Sequence, residues 1–150
     1  MSKPRILFID DEEIVLRSCR RIFANSDYEI DTAQSGEEGL SKAINGDYDI
    51  VVTDLKMPGI GGMEVLSRLR KVRPDTTVII FTGYASVDTA REALKNGAFD
   101  YIPKPFTPEE MREVIKNALE ARAGKERNML DLMAIVSHEL KSPLSALHTT

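Results

Sequence analysis

The sequence predicts an α/β protein built on a doubly wound, five-stranded parallel sheet with helices on both faces. Five apolar runs recur about every 20 to 28 residues, and each is followed by a stretch in which apolar residues stand at helical spacing. The third and fourth runs are rich in valine and isoleucine without polar alternation, which is typical of parallel strands covered on both faces. We expect the strand order 2-1-3-4-5, with a helical extension at the C-terminus.

The predicted elements follow these runs in order. The strands are predicted at residues 6–9, 28–33, 50–52, 78–81 and 99–102. Apolar residues at helical spacing predict cover helices after the first, third and fifth strands, over residues 14–23, 65–69 and 111–119. The fifth helix has the clearest start, because Thr107 can cap it, Pro108 suits its first position and Glu110 completes a capping box.

Composition narrows the classes of function. The 150 residues are 42% hydrophobic and carry a net charge of −4, which is typical of a globular chain with a sizeable core. A single cysteine, Cys19, allows no internal disulfide and no cysteine-based zinc cluster, and it favours a cytoplasmic location. No apolar run approaches the roughly 20 residues that a membrane helix needs. Mild acidity with scattered basic residues predicts no nucleic-acid surface.

Polar side chains follow the predicted strands at their carboxyl ends. Asp10 and Asp11 end the first run, Asp54 ends the third, Thr82 ends the fourth, and Lys104 follows the fifth. Ligands of doubly wound sheets bind at this edge, where the first and third strands are neighbours. Three carboxylates and one lysine leave a formal charge of −2, which Mg²⁺ would neutralise. Singly, each acid is explained as well by helix capping, but their joint placement favours a phosphoryl-transfer site with Asp54 as nucleophile.

Four motifs resemble the receiver domain of two-component response regulators. They are Phe8-Ile9-Asp10-Asp11-Glu12, Asp54-Leu55-Lys56-Met57-Pro58-Gly59, Phe81-Thr82-Gly83-Tyr84-Ala85 and Lys104-Pro105-Phe106. They stand in the order and spacing of that family, and the resemblance covers about residues 3 to 123. We therefore expect a receiver domain over residues 1–123.

The resemblance implies a phosphoacceptor and a metal site. Asp54 would accept a phosphoryl group from the phosphohistidine of a cognate histidine kinase or phosphotransfer protein. Asp11 and Asp54 would be direct Mg²⁺ ligands, Asp10 would bind the ion through water, and Lys56 would bind it through its backbone carbonyl. A receiver of this kind would catalyse both its own phosphorylation and its dephosphorylation. The glycine-rich segment 59–62 is read as a turn beside the acceptor, because it lacks the Lys-Ser or Lys-Thr of a P-loop.

The resemblance also implies a switch. Thr82 and Lys104 would each bind a phosphoryl oxygen, and Tyr101 would turn inward as Thr82 moves. This change would reshape the face formed by the fourth helix, near residues 86–95, with the fifth strand and fifth helix. That face is a candidate surface for homodimers. The bond from Lys104 to Pro105 is predicted to be cis, as in the family.

The C-terminal segment resembles a second family. Residues 134–147 are similar to the phosphoacceptor box of histidine kinases, which implies His138 as the phosphorylated residue and Glu139 as its general base. We expect residues 124–150 to be a helical linker and the truncated first helix of a kinase dimerisation domain, which would itself favour a homodimer. The ATP-binding domain is absent from these residues, so this chain alone would not phosphorylate His138.

Two alternatives remain open at the level of sequence. One is a stand-alone receiver that signals by protein binding, with the tail as a structural helix. The other is a phosphohydrolase with an aspartyl nucleophile, which is disfavoured because Lys56 stands where such an enzyme needs the second residue of an Asp-x-Asp pair. Oligomeric state separates the first alternative from a kinase fusion, since a bundle helix favours dimers.

Overall fold

The computed structural model describes the backbone of residues 3–141 and the side chains of residues 3–124. Strands and helices alternate along the chain. Their bounds are β1 Arg5–Ile9, α1 Glu13–Ile22, β2 Glu29–Ala33, α2 Gly36–Asn45, β3 Ile50–Asp54, α3 Gly62–Val72, β4 Thr77–Thr82, α4 Val87–Lys95, β5 Asp100–Pro103 and α5 Pro108–Lys141. The chain divides after Ile115 into two compact units, and α5 continues from the first into the second.

The sheet has the order β2-β1-β3-β4-β5, and every neighbouring pair is parallel. This confirms the predicted fold class and strand order. In the register of the sheet, Ile9 at the end of β1 lies opposite both Ala33 of β2 and Thr53 of β3. The residues that follow β1 and β3 therefore emerge side by side at the carboxyl edge.

The central strands form the core. β3 is buried at every position, and β4 is buried from its second residue onward. Phe8 of β1 packs between Phe23 and Phe81, with ring centroids 5.9 and 6.5 Å apart. Burial of each large apolar side chain contributes about 1.5–3 kcal/mol, which explains why these runs lack polar alternation. The core gives the loops at the carboxyl edge a rigid base.

Side-chain caps define several helix starts. The Thr107 hydroxyl accepts from the Glu110 amide at 3.1 Å, and the Glu110 carboxylate accepts from the Thr107 amide at 2.8 Å, as the predicted capping box requires. The Ser35 hydroxyl caps α2 by accepting from the Glu38 amide, and the Ser86 hydroxyl caps α4 by accepting from the Thr89 amide. The Lys104–Pro105 bond is cis, as predicted.

The last helix spans 34 residues. α5 runs without a break through Gly124 to Lys141, so a linker at this point is helical. One glycine costs a helix only about 1 kcal/mol relative to alanine, which its neighbours can offset. His138 and Glu139 lie on this helix backbone, but their side chains lie outside the described ones. Among the described residues, no helix has the length and apolar character needed to cross a membrane.

Candidate functional site

Three aspartates meet at the carboxyl edge of the sheet. Asp10 follows β1, Asp11 comes next, and Asp54 is the last residue of β3. One oxygen from each carboxylate lies within 4.8 Å of the other two. Asp10 is fully buried and Asp54 is 6% exposed, whereas Asp11 is exposed. The cluster therefore has two buried carboxylates and one carboxylate that faces solvent.

Lys104 lies between the two buried carboxylates. Its Nζ is 2.6 Å from Asp10 Oδ2 and 3.2 Å from Asp54 Oδ2. Burial lowers the pKa of Lys104, but the hydrogen bond to Asp10 and the charges of both aspartates outweigh that effect and raise the pKa. Burial raises the pKa of Asp10, against the opposing influence of Lys104 and the Glu12 amide. Lys104 is therefore protonated at neutral pH and carries a positive charge inside an acidic cluster.

Each buried carboxylate is fixed at both oxygens. Asp54 Oδ1 accepts from the Leu55 amide at 2.7 Å, and Asp10 Oδ1 accepts from the Glu12 amide at 2.9 Å. The other oxygen of each group faces Lys104. The backbone of Lys104 is held in place because its amide donates to the Thr82 carbonyl. These contacts hold the two carboxylates in place before any ligand arrives.

The Thr82 hydroxyl lies at the end of β4 and is buried. It accepts from the Tyr84 amide at 3.0 Å, which leaves its proton available for a bond to a ligand. The backbone carbonyl of Thr82 accepts from the Lys104 amide at 2.8 Å. The ends of β4 and β5 are therefore tied together beside the acidic cluster.

Tyr101 reaches the start of α4. Its hydroxyl lies 2.6 Å from the Thr89 hydroxyl and 3.4 Å from the Ser86 amide. Thr89 was not predicted from the sequence. The available signal was its position three residues after Ser86, the cap of α4, where a side chain can turn back toward the cap.

Lys56 lies in the loop after β3, and its side chain is exposed. Its Nζ stands 4.5 Å from the ring centroid of Tyr84, in the loop after β4. This cation–π contact joins the two loops, at a strength of about 0.5–1 kcal/mol for an exposed pair. The side chain of Lys56 therefore contributes to loop packing, separately from the backbone role predicted for this residue.

A comparison with protein families leads to the same domain type that the sheet order and the residues at this edge indicate. The family model described as "Response regulator receiver domain" matches residues 6–116. The chain belongs to this family. Receivers accept a phosphoryl group on an aspartate and so switch an output, and they interact with histidine kinases or phosphotransfer proteins. They bind Mg²⁺ through acidic residues, and this receiver has such a cluster.

Individual relatives support the same conclusion. Regulatory protein AtoC of Escherichia coli K12 is 38% identical over 122 residues, which cover 81% of this chain and 26% of AtoC. Uncharacterized transcriptional regulatory protein YkoG of Bacillus subtilis 168 is 36% identical over 129 residues, covering 86% of this chain and 57% of YkoG. A receiver domain crystal structure from Methanospirillum hungatei JF-1 has a TM-score of 0.80 at 35% identity, covering 83% of this chain and 99% of that one.

The comparisons confirm the receiver and leave other expectations as predictions. These curated relatives are much longer than the segment they share with this chain, which spans about a quarter of one and just over half of the other. Both are named as regulatory proteins, so the absence of a nucleic-acid partner stays a prediction from composition. The cytoplasmic location and the fusion to a histidine kinase also stay predictions.

Proposed function

We propose that this receiver takes a phosphoryl group from a phosphohistidine onto Asp54. The observation that carries the proposal is the position of Lys104, whose Nζ lies within 3.2 Å of Asp54 Oδ2 and 2.6 Å of Asp10 Oδ2. A lysine so placed can bind a phosphoryl oxygen at the acceptor. The phosphorelay partner would be a histidine kinase or a phosphotransfer protein.

The residues at the cluster fit a magnesium ion. All three side chains offer carboxylate oxygens, the ligands that Mg²⁺ prefers, and they lie within 4.8 Å of one another. Asp11 and Asp54 would bind directly, Asp10 through water, and Lys56 through its carbonyl. When bound, the ion would neutralise charge on the phosphoryl oxygens.

The transfer step uses groups of this chain in defined roles. A carboxylate oxygen of Asp54 attacks phosphorus, and the bond from phosphorus to the donor imidazole nitrogen breaks. The donor imidazole, which carries a proton on its other nitrogen, leaves with the electron pair of that bond as neutral imidazole. Lys104 and the Thr82 hydroxyl would each bind one phosphoryl oxygen. The Leu55 amide holds the other oxygen of Asp54, which orients the nucleophile.

Phosphorylation would change the conformation of α4 and β5. Movement of Thr82 toward the phosphoryl group would pull the 83–86 loop, to which the Tyr101 hydroxyl is bonded through the Ser86 amide. Val87 and Leu94 of α4 and Phe99 before β5 are exposed apolar side chains. They support a partner or homodimer surface on the α4-β5-α5 face.

Intact mass spectrometry tests the acceptor. The whole chain is incubated with Mg²⁺ and acetyl phosphate beside Asp54→Asn and His138→Ala variants. We expect one phosphoryl adduct in the wild type and in His138→Ala, and none in Asp54→Asn. An adduct that persists in Asp54→Asn would assign the acceptor elsewhere, and no adduct in any folded variant would indicate a receiver that signals by binding alone.

A second proposal concerns the tail. We propose that residues 124–150 open a histidine kinase dimerisation domain, with His138 as phosphoacceptor and Glu139 as general base, so that the parent protein is a hybrid kinase. The motif at 137–144 and the continuous helix to Lys141 support it. Sedimentation of the whole chain should then give a dimer, and a Val136→Asp, Leu140→Asp double variant a monomer. A monomeric wild type would favour the stand-alone receiver.

A further inference from the structure

The first turn of α2 contacts the loop that follows β3. Glu37 Oε1 accepts from the Ile60 amide at 2.9 Å, across 23 positions of sequence. A Cβ atom on Gly59 would lie 2.6 Å from both carboxylate oxygens of Glu37. The carboxylate therefore lies directly against the backbone of Gly59 and Ile60.

The position of Glu37 is itself constrained. A Cβ on Gly36 would collide with the Ile60 carbonyl, so the helix start packs against the loop without room for a side chain. Ser35 caps this turn by accepting from the Glu38 amide at 3.1 Å. The helix backbone that carries Glu37 is thereby fixed, which places its exposed carboxylate within reach of the Ile60 amide.

The two ends of the same loop are joined to each other beside Asp54. The Gly62 amide donates to the Leu55 carbonyl at 2.9 Å. A Cβ on Gly62 would collide with the Asp54 carbonyl, so α3 starts in direct contact with the acceptor residue. The loop is therefore closed beside Asp54, Glu37 contacts it at Gly59 and Ile60, and Lys56 lies within it.

We propose that Glu37 is a positioning residue for the cation site. By accepting from the Ile60 amide, it holds the loop in the conformation that presents the Lys56 carbonyl to the ion. Loss of the carboxylate would leave that amide without its acceptor and let the loop sample other conformations. This inference rests on the magnesium site proposed above.

Calorimetric titration of the whole chain with Mg²⁺ tests the inference. We expect Glu37→Ala to weaken Mg²⁺ binding by about tenfold, as for other groups that orient metal ligands. Glu37→Gln keeps a carbonyl oxygen that can accept from the Ile60 amide, so its affinity should stay close to that of the wild type. Hydrogen exchange of the Ile60 amide should accelerate in Glu37→Ala and much less in Glu37→Gln.

Glu38→Ala is the matched control. Glu38 stands on the same turn, accepts from the Gln34 amide at 2.7 Å and pairs with Lys42, and these contacts do not involve the loop. Its removal should weaken α2 but leave Mg²⁺ affinity unchanged. An equal loss of affinity in Glu38→Ala, or a loss in Glu37→Gln as large as in Glu37→Ala, would overturn the inference.

The same titration distinguishes a failure of the proposed magnesium site from a failure of the proposed role of Glu37. A wild-type chain that binds no Mg²⁺ would overturn the proposed magnesium site. A wild type that binds Mg²⁺ while Glu37→Ala binds it equally well would leave that site intact and overturn the role of Glu37.

Discussion

The hydroxyls of Thr89 and Tyr101 lie 2.6 Å apart, which joins the first turn of α4 to β5. Thr89 is also tied to the helix cap, because its hydroxyl lies 2.9 Å from the Ser86 hydroxyl and its amide donates to that hydroxyl at 3.1 Å. Tyr101, the residue expected to report on Thr82, is thus bonded to a side chain outside the recognised motifs. The two hydroxyls form one unit between the site and the α4-β5-α5 face.

A double-mutant cycle measures this unit. Thr89→Val and Tyr101→Phe each remove one hydroxyl, and the hydrogen bond between them is lost in either variant. We expect the free energies of unfolding to be non-additive by about 1 kcal/mol, the typical contribution of one hydrogen bond. Urea unfolding of the four proteins provides the values.

Thr89→Ser is the control for that cycle, because it keeps the hydroxyl and removes only a methyl group. Tyr101→Phe should therefore lower the free energy of unfolding by the same amount in Thr89→Ser as in the wild type. Additivity of Thr89→Val and Tyr101→Phe within about 0.3 kcal/mol would mean that the two hydroxyls act independently.

Removal of Lys104 is expected to destabilise the receiver at pH 7 without divalent cations. Lys104→Met leaves the carboxylates of Asp10 and Asp54 buried and without their shared cation. Loss of one partner of a buried ion pair typically costs about 3–5 kcal/mol. Chemical denaturation should show a decrease of this size in the free energy of unfolding, which is large for a single substitution.

Lys56→Met is the matched control, since Lys56 is also a lysine near the site but is exposed. It should change the free energy of unfolding by no more than about 1 kcal/mol, the strength of its contact with Tyr84. Similar unfolding free energies for Lys104→Met and wild type would mean that the two carboxylates do not depend on the lysine.

Acid should lower the stability contributed by Asp31, which lies on the edge strand β2 and interacts with Tyr48 and Lys42. Burial raises the pKa of Asp31, but hydrogen bonds from the Tyr48 hydroxyl and the Thr32 amide, with the charge of Lys42, outweigh it and lower the pKa below 3.8. A carboxyl group whose pKa is lower in the folded state stabilises the fold above its unfolded pKa. That contribution is lost as the pH falls through the folded value.

Asp31→Asn tests this pH dependence. The variant should be less stable than the wild type at pH 7, and the difference should shrink as the pH falls below about 4, near the unfolded pKa of an aspartate. Urea unfolding between neutral and acidic pH measures both proteins. A difference that stays constant down to the acid limit would show that Asp31 titrates normally in the folded chain.

The parts of this receiver that could be predicted from sequence depend on local patterns. Strand positions follow from uninterrupted apolar runs, the α5 start follows from the Thr107 cap, and the acidic cluster follows from the rule that parallel strands end at one edge. Glu37 and Thr89 could not be found this way. Their partners lie 23 and 12 positions away, and such contacts arise only when loops and helix starts are placed in space.

Gly59 offers a last test, because its positive φ favours glycine and its backbone lies against the Glu37 carboxylate. Its φ of +82° is unfavourable for residues with a side chain, by about 1–2 kcal/mol, and a Cβ would also press on the Glu37 carboxylate. The exposed Glu37 side chain can move aside, so we expect Gly59→Ala to destabilise the receiver by the conformational effect together with the loss of the hydrogen bond between Glu37 and the Ile60 amide. Gly83→Ala is the control, because its Cβ would meet nothing within 4 Å.

Combining Gly59→Ala with Glu37→Ala separates the two effects. Without the carboxylate the new Cβ has space, so the double variant should be more stable than the sum of the single effects predicts, and only the conformational cost of Gly59→Ala should remain. Thermal unfolding of the single and double variants measures this difference. Strict additivity would mean that a side chain at position 59 and the Glu37 carboxylate do not affect each other in solution.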